Sequence, residues 1–136
     1  MSEENITLIK NLYDAFAAGD VPAVLGAMSP HIIWNEADNF PYADGNPYIG
    51  PEAVLNGVFA RCIGEWDDFA VVIEEIINAG DTVIAFGRYT GTFKATGQAQ
   101  NTQMAHVWRI ENGKIVRFQQ HADTLHVAQV TGAVKI

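Results

Sequence analysis

One β-hairpin constrains the fold of this chain more than any other feature of its sequence. Residues 104–123, "MAHVWRIENGKIVRFQQHAD", contain two β-rich stretches around Asn112-Gly113, a dipeptide typical of two-residue hairpin turns. This turn pairs Glu111 with Lys114, and the other pairs follow in sequence. Because side chains alternate between the faces of a strand, the predicted register assigns every hairpin residue to one face of the sheet.

The predicted register gathers polar side chains on one face, near the open end of the hairpin. On that face lie His106, Gln119, His121 and Asp123, with Met104, Trp108, Ile110 and Ile115 as apolar walls. Burial raises the pKa of an aspartate and makes it a better base near neutral pH, whereas a neighbouring imidazolium lowers that pKa. The hairpin therefore predicts an acid–base pocket around Asp123.

Other interpretations of the same residues stay open. Asp123 precedes "TLHVAQV" and could simply cap a terminal helix. His106 could be a core histidine with a satisfied hydrogen bond, and His121 could lie at an edge or on the surface. The three together also have the composition of a two-histidine, one-carboxylate iron site. We expect neither a metal nor a cofactor.

Charge and length exclude several classes of partner. The chain has 136 residues, of which 49% are hydrophobic, and a net charge of −8. That length predicts a single domain over residues 1–136 with a sizeable core. Nucleic acid and anionic membranes are excluded as partners because both require a basic surface.

Compartment is predicted from the absence of two signals. The N-terminus has no basic stretch followed by an apolar run, as a secretion signal would, and no apolar stretch approaches the roughly 20 residues of a membrane span. Cys62 is a lone cysteine, for which a buried structural thiol is the expected role. We expect a cytoplasmic protein.

Hydrophobic periodicity predicts the order of the elements. Helical spacing covers residues 2–18, 20–28 and 51–64, and "HIIW" predicts an early strand before a long loop, 35–50. Strands follow from Phe69, and "TLHVAQVTG" predicts a short last helix. The order favours an α+β fold with helices on one side of a curved antiparallel sheet and a cavity between them. The loop, with Phe40, Tyr42 and Tyr48, is either a lid or ordinary packing.

Three segments carry a resemblance to a known family. "LYDAFAAGDVPAVLGAMSPHIIW", "GPEAV" and "VWRIENGKIVRFQQHADTLHVAQVTG" resemble the opening helices and first strand, the third helix, and the terminal hairpin and tail of the nuclear transport factor two-like superfamily. The resemblance is to its SnoaL-like branch, related to ketosteroid isomerase. It rests on order and spacing over nearly the whole chain.

The resemblance implies a cone-shaped α+β barrel with a deep pocket, often dimerised through the outer face of the sheet. Family enzymes of the polyketide cyclase type use an aspartate late in the last strand as general base, a position similar to that of Asp123. They abstract a proton next to a carbonyl, and intramolecular aldol attack follows. His106 or His121 could donate a hydrogen bond to the enolate. Other members only bind ligands or mediate association.

The resulting expectation is a cofactor-independent cyclase or isomerase acting on a small hydrophobic carbonyl compound. The alternative is a non-catalytic module of the same fold that binds a small apolar ligand or dimerises. Predicted ligand contacts are Trp34, Phe40, Tyr42, Tyr48, Met104, Trp108 and Gln119. A homodimer is expected through the opposite face of the hairpin, which is predicted to carry Val107, Arg109, Val116, Phe118 and Gln120.

Overall fold

Helices cover the inner face of one six-stranded sheet in the computed structural model, which describes residues 2–134. The helices are α1 (Ser2–Ala17), α2 (Val21–Gly26), α3 (Pro51–Val54), α4 (Ala60–Glu65) and α5 (Thr124–Thr131). A 3-10 turn (Pro41–Gly45) lies in the long loop, and a π-helical turn (Leu55–Phe59) joins α3 to α4. The strands are β1 (Met28–Asn35), β2 (Tyr48–Ile49), β3 (Trp66–Ala79), β4 (Thr82–Phe93), β5 (Ala99–Glu111) and β6 (Lys114–Ala122).

The sheet has the order β2-β1-β6-β5-β4-β3 and curves without closing. The predicted α+β architecture is confirmed, and one detail differs from it. β1 runs parallel to β6, whereas the other neighbouring strands pair antiparallel. The helical spacing of α1 turns Ile9 and Leu12 into the core, as an amphipathic helix requires. No helix within residues 2–134 combines the length and the apolarity that a membrane crossing requires.

The register of the β5–β6 hairpin departs from the prediction close to the turn. Glu111 pairs with Lys114 as predicted, but Arg109 pairs with Arg117. Val116 is therefore an extra residue on β6, a β-bulge. Beyond it, every β6 residue faces the side of the sheet opposite to the predicted one, because side chains alternate with a period of two.

Burial of one aromatic ring explains why the bulge forms. The predicted register would place Arg117 beside Trp108 in the core and turn Phe118 to solvent. Instead Phe118 pairs with Trp108 at a ring-centroid distance of 4.5 Å, each side chain only 1% exposed, and Arg117 is exposed. Burying a phenylalanine stabilises by roughly 1.5–3 kcal/mol, whereas burying an unpaired charge costs more than that. The burial of Phe118 and the exposure of Arg117 therefore determine the register of the hairpin.

Two predictions that depended on the register are wrong. Gln119, His121 and Asp123 do not share a face with His106, since His106 pairs with Gln120 and the β6 residues on either side of Gln120 point the other way. Gln120 and Phe118, predicted for a dimer surface on the outer face, are 2% and 1% exposed on the inner face. Homodimer formation itself stays a prediction.

A close approach between β3 and β4 makes Gly87 sensitive to substitution. A methyl group at Gly87 would lie 2.0 Å from the backbone oxygen of Val72, beside a bulge in β3. We expect Gly87→Ala to destabilise the protein by roughly 1–3 kcal/mol, because backbone atoms cannot move aside as a flexible side chain does. Gly64→Ala in α4, where the methyl group meets open space, is the matched control. Equal midpoints in urea for both variants would contradict this account.

Candidate functional site

A buried cavity lies between the inner face of the sheet and helices α1, α2 and α4. Its volume is about 50 Å³, room for a few water molecules or a small organic group. Aromatic side chains dominate its wall: Tyr13, Phe16, Trp34, Phe40, Phe59, Phe69, Tyr89, Trp108 and Phe118. Aliphatic side chains come from Leu12, Val24, Val58 and Val71, and polar groups from Glu36, Cys62, His106 and Gln120. The polar groups are few and converge on an apolar space, the composition of a small-molecule site.

Glu36 is the carboxyl group of this cavity, and the end of β1 positions it. The alternation of Ile32, Trp34 and Glu36 along the chain turns all three inward, and Glu36 is only 3% exposed. The side chain of Asn46 brackets the Glu36 backbone, accepting from its N–H at 3.0 Å and donating to its carbonyl at 2.8 Å. Trp34 Nε1 donates to Glu36 Oε2 at 3.0 Å. The loop and the strand therefore fix this carboxyl in place.

The environment of Glu36 suits a base that works near neutral pH. Burial raises its pKa to about 7, against smaller lowering effects of the Trp34 hydrogen bond and the Arg61 charge. Its second oxygen, Oε1, accepts no hydrogen bond from any residue that the structure describes. An ionisable carboxyl with one unused oxygen can take a proton from a ligand.

His106 stands between two tyrosine hydroxyls on the same wall. Its Nδ1 lies 2.7 Å from the hydroxyl oxygen of Tyr13, and its Nε2 lies 2.5 Å from that of Tyr89. Trp108 Nε1 donates to the Tyr13 oxygen at 2.9 Å, and Gln120 Nε2 donates to the Tyr89 oxygen at 2.9 Å. Every polar atom of the imidazole thus has a partner, which a buried histidine requires.

Burial sets the protonation of all three members of this group. It lowers the pKa of His106 to about 3, so the imidazole is neutral at neutral pH. It raises the pKa of Tyr13 and of Tyr89 above the ordinary range of a phenol. The tyrosines therefore keep their protons, and the wall offers neutral hydrogen-bond donors rather than charges.

The orientation of Gln120 follows from its second hydrogen bond. Its Oε1 accepts from the backbone N–H of Ala37 at 3.0 Å, which leaves its NH₂ group facing Tyr89. The same short segment that carries Glu36 thereby orients the far end of the tyrosine–histidine group. The carboxyl and the hydroxyls are parts of one connected arrangement.

Four of the residues predicted for the site line this cavity, and six do not. His106, Trp34, Phe40 and Trp108 are in its wall. Gln119 and His121 lie on the outer face of the sheet because of the bulge at Val116. Asp123 is exposed and caps α5, where its Oδ1 accepts from the His126 N–H at 3.2 Å. Met104, Tyr42 and Tyr48 are buried without contributing to the lining.

Tyr42 and Tyr48 fix the long loop instead of contacting the cavity. The Tyr42 hydroxyl donates to Glu65 Oε1 at 2.6 Å and accepts from Trp66 Nε1 at 3.0 Å. The Tyr48 hydroxyl donates to the Tyr42 carbonyl at 2.6 Å. Of the two interpretations of this loop, ordered packing fits these contacts, while Phe40 alone of its predicted aromatics reaches the cavity.

Four cavity residues whose side chains form the hydrogen bonds described above were absent from the predicted site: Glu36, Tyr13, Tyr89 and Gln120. Glu36 was assigned to the loop, although its spacing of two from Trp34 continues the inward alternation of β1. Tyr13 lies within the first predicted helix, residues 2–18, and was not selected as a site residue. Gln120 was placed on the outer face by the register error. The iron-site arrangement fails for the same reason, and residues 2–134 contain no group of three or more His, Cys, Asp or Glu side chains suited to a metal.

Comparison with protein families gives a match over most of the chain. The family described as SnoaL-like domain matches residues 9–118. Among curated proteins, the chain is similar to Patulin synthesis protein F of Aspergillus clavatus, at 31% identity over 94 residues, 68% of this chain and 47% of that protein. The chain thus spans about half the length of this relative.

Solved structures share the whole fold. An NTF2-like protein from Burkholderia thailandensis is 39% identical, with a TM-score of 0.87 over 91% of this chain and 94% of that chain. A protein from Jannaschia sp. CCS1, described provisionally as a SnoaL-like polyketide cyclase, is 19% identical, with a TM-score of 0.83 over 99% of this chain and 96% of that chain. The second likeness concerns the fold alone. The predicted superfamily and cone-shaped fold are confirmed.

Proposed function

The chain belongs to the SnoaL-like domain family, and on that premise we propose that its cavity catalyses proton transfer next to a carbonyl group, as a cofactor-independent isomerase or cyclase. The observation that carries the proposal is Glu36, a carboxyl with a pKa of about 7 that faces an aromatic cavity with one oxygen unused. Glu36 takes the role that the sequence suggested for Asp123.

Glu36 acts on the carbon next to the substrate carbonyl, and a tyrosine hydroxyl acts on the carbonyl oxygen. Glu36 Oε1 takes a proton from the carbon next to the carbonyl, and the electron pair of the broken C–H bond forms a C=C bond. Negative charge moves to the carbonyl oxygen, where a hydroxyl from Tyr13 or Tyr89 donates a hydrogen bond. In an isomerase, protonated Glu36 returns the proton to another carbon. In a cyclase, the enolate carbon attacks a second carbonyl of the same molecule.

Cavity size and lining define the substrate class. A space of about 50 Å³ between aromatic rings favours a small, largely apolar carbonyl compound. The fungal relative, whose name places it in patulin synthesis, supports a biosynthetic role. The largely apolar wall also favours catalysis, because a hydrogen-bond donor or a base interacts more strongly where the effective dielectric constant is low.

Deuterium exchange tests the proposal without knowledge of the natural substrate. The protein is incubated with butanone in D₂O, and loss of the proton signals next to the carbonyl is followed by NMR. We expect catalysed exchange in the wild type and an unchanged rate in Asp123→Asn, since Asp123 is exposed outside the cavity. A large loss in Asp123→Asn would overturn the choice of Glu36. Saturable binding of butanone without exchange would favour the alternative, a non-catalytic binding module.

A further inference from the structure

The Tyr13–His106–Tyr89 group contains one hydroxyl proton more than its own acceptors can take. Neutral His106 has one N–H, and each tyrosine has one O–H, three protons in all. The two contacts with the imidazole consume one proton each. Neither hydroxyl has another acceptor among the described residues, because Trp108 and Gln120 both donate to these oxygens. One hydroxyl proton always remains without an acceptor.

The tautomer of His106 decides which hydroxyl has that proton. When Nδ1 carries the hydrogen, it donates to Tyr13 and Nε2 accepts from Tyr89, so the Tyr13 proton is unused. When Nε2 carries the hydrogen, the roles exchange and the Tyr89 proton is unused. Each oxygen already accepts one hydrogen bond from Trp108 or Gln120. The tyrosine that donates to the imidazole therefore retains one lone pair that can accept a hydrogen bond.

The group consequently offers one donor and one acceptor at a time, and the two exchange places with the tautomer. A ligand that satisfies both must itself present one acceptor and one donor. In a carbonyl compound, the class that the proposed function names, the carbonyl oxygen supplies the acceptor and a hydroxyl group can supply the donor. Both tyrosines face the same cavity, so one small molecule can reach both. A compound with only a carbonyl group would leave the second position unpaired, which is costly in a buried site.

We propose that the Tyr13–His106–Tyr89 group selects hydroxy-carbonyl compounds and that His106 acts as a tautomeric relay during their isomerisation. This inference rests on the proposed function and names the substrate class of the same site. His106 is a positioning residue, since it acts through the two tyrosines. The relay gives one cavity the hydrogen-bonding pattern of both substrate and product.

The relay balances every proton in the isomerisation. From the Nδ1–H tautomer, Tyr13 gives its proton to the substrate carbonyl oxygen and receives the Nδ1 proton. Nε2 receives the Tyr89 proton, and Tyr89 receives the proton of the substrate hydroxyl. Glu36 meanwhile moves a proton from the carbinol carbon to the former carbonyl carbon. The carbonyl and hydroxyl groups exchange positions, and His106 ends in its Nε2–H tautomer.

Nitrogen NMR of histidine-labelled protein tests the relay directly. The ¹⁵N shifts distinguish a protonated from an unprotonated ring nitrogen, and His106→Asn assigns the signals. We expect Tyr13→Phe to move the imidazole proton to Nε2 and Tyr89→Phe to move it to Nδ1. In each variant the protonated ring nitrogen should be the one that donates to the remaining tyrosine hydroxyl, because a buried N–H without an acceptor is rarer than an unused acceptor. The same protonated nitrogen in both variants, or two protonated nitrogens at neutral pH, would overturn the relay.

Two matched probes test the substrate class. Hydroxyacetone carries the carbonyl and the hydroxyl group, and acetone lacks only the hydroxyl. We expect the His106 nitrogen signals to titrate with hydroxyacetone at an affinity at least tenfold above that for acetone, roughly the contribution of one hydrogen bond. Equal affinities, or no titration with hydroxyacetone, would overturn the selection.

These readouts separate this inference from the proposed function. The tautomers and the probe affinities depend on the tyrosine–histidine group and require no turnover. If Glu36 is not a base, butanone exchange fails while the two tyrosine variants still shift the imidazole proton in opposite directions. If the relay is wrong, exchange persists while both variants protonate the same nitrogen.

Discussion

Replacing Glu36 with glutamine is expected to lower the rate of butanone proton exchange by roughly 10²- to 10⁴-fold, the usual contribution of a positioned general base. Glutamine has nearly the shape of glutamate, and its amide oxygen can still accept from Trp34 Nε1, so the cavity retains its form. It cannot take a proton from carbon. The measurement is the exchange rate by NMR at equal protein concentration.

Two features of the same experiment make the outcome specific to Glu36. In the wild type the exchange rate should rise as the pH passes about 7, because the pKa of Glu36 lies there and only the carboxylate accepts a proton. Glu36→Gln should show no such rise. Glu52→Gln, the same chemical change at an exposed position of α3, should exchange at the wild-type rate. A Glu36→Gln protein that exchanges at more than a tenth of that rate would remove Glu36 from the mechanism.

The second large effect concerns stability, where His106 and Glu36 act in opposite directions. The pKa of His106 falls from 6.5 in the unfolded chain to about 3 in the fold. Its contribution to stability is therefore complete above pH 6.5 and is lost as the pH falls toward 3, by roughly 5 kcal/mol in total. The pKa of Glu36 rises from 4.5 to about 7. Its contribution is complete below pH 4.5 and is lost as the pH rises toward 7, by roughly 3 kcal/mol.

These opposed contributions predict a distinct profile for each variant. Between pH 7 and 4.5 the two nearly cancel in the wild type. Over this range Glu36→Gln should lose stability on acidification, and His106→Gln should gain it, relative to the wild type. The free energy of unfolding in urea, measured at pH 7, 5.5 and 4.5, tests this. Parallel profiles for all three proteins would mean that neither group is buried in the protonation state described above.

The order of elements could be predicted from the sequence because periodicity and turn residues depend on neighbours along the chain. The helical stripe of α1 and the Asn112-Gly113 turn illustrate this: each is a local pattern, and each appears in the structure. The superfamily followed from the same order and spacing. The parallel pairing of β1 with β6 joins segments that are distant in the chain, and no local pattern in the sequence predicts it.

The site was harder to predict because it depends on one inserted residue. His106 was placed correctly, since β5 continues without interruption beyond the turn. Gln119, His121 and Asp123 were misplaced because Val116 resembles any other strand residue. The burial of Phe118 against Trp108 decides the register, and that competition between aromatic and charged side chains involves both strands. Glu36 was missed because a single charge after an apolar strand resembles the start of a loop.

The bulge at Val116 also suggests how related proteins could acquire different chemistry. Closing the bulge at unchanged chain length would shift the far half of β6 by one residue against β5, bringing Gln119 and His121 inward and turning Gln120 outward. Exchanging the residue types at positions 117 and 118 would favour that shift, because the aromatic ring would then be buried beside Trp108 only without the bulge. A change of register in this terminal strand is therefore an evolutionary route to new specificity on the same scaffold.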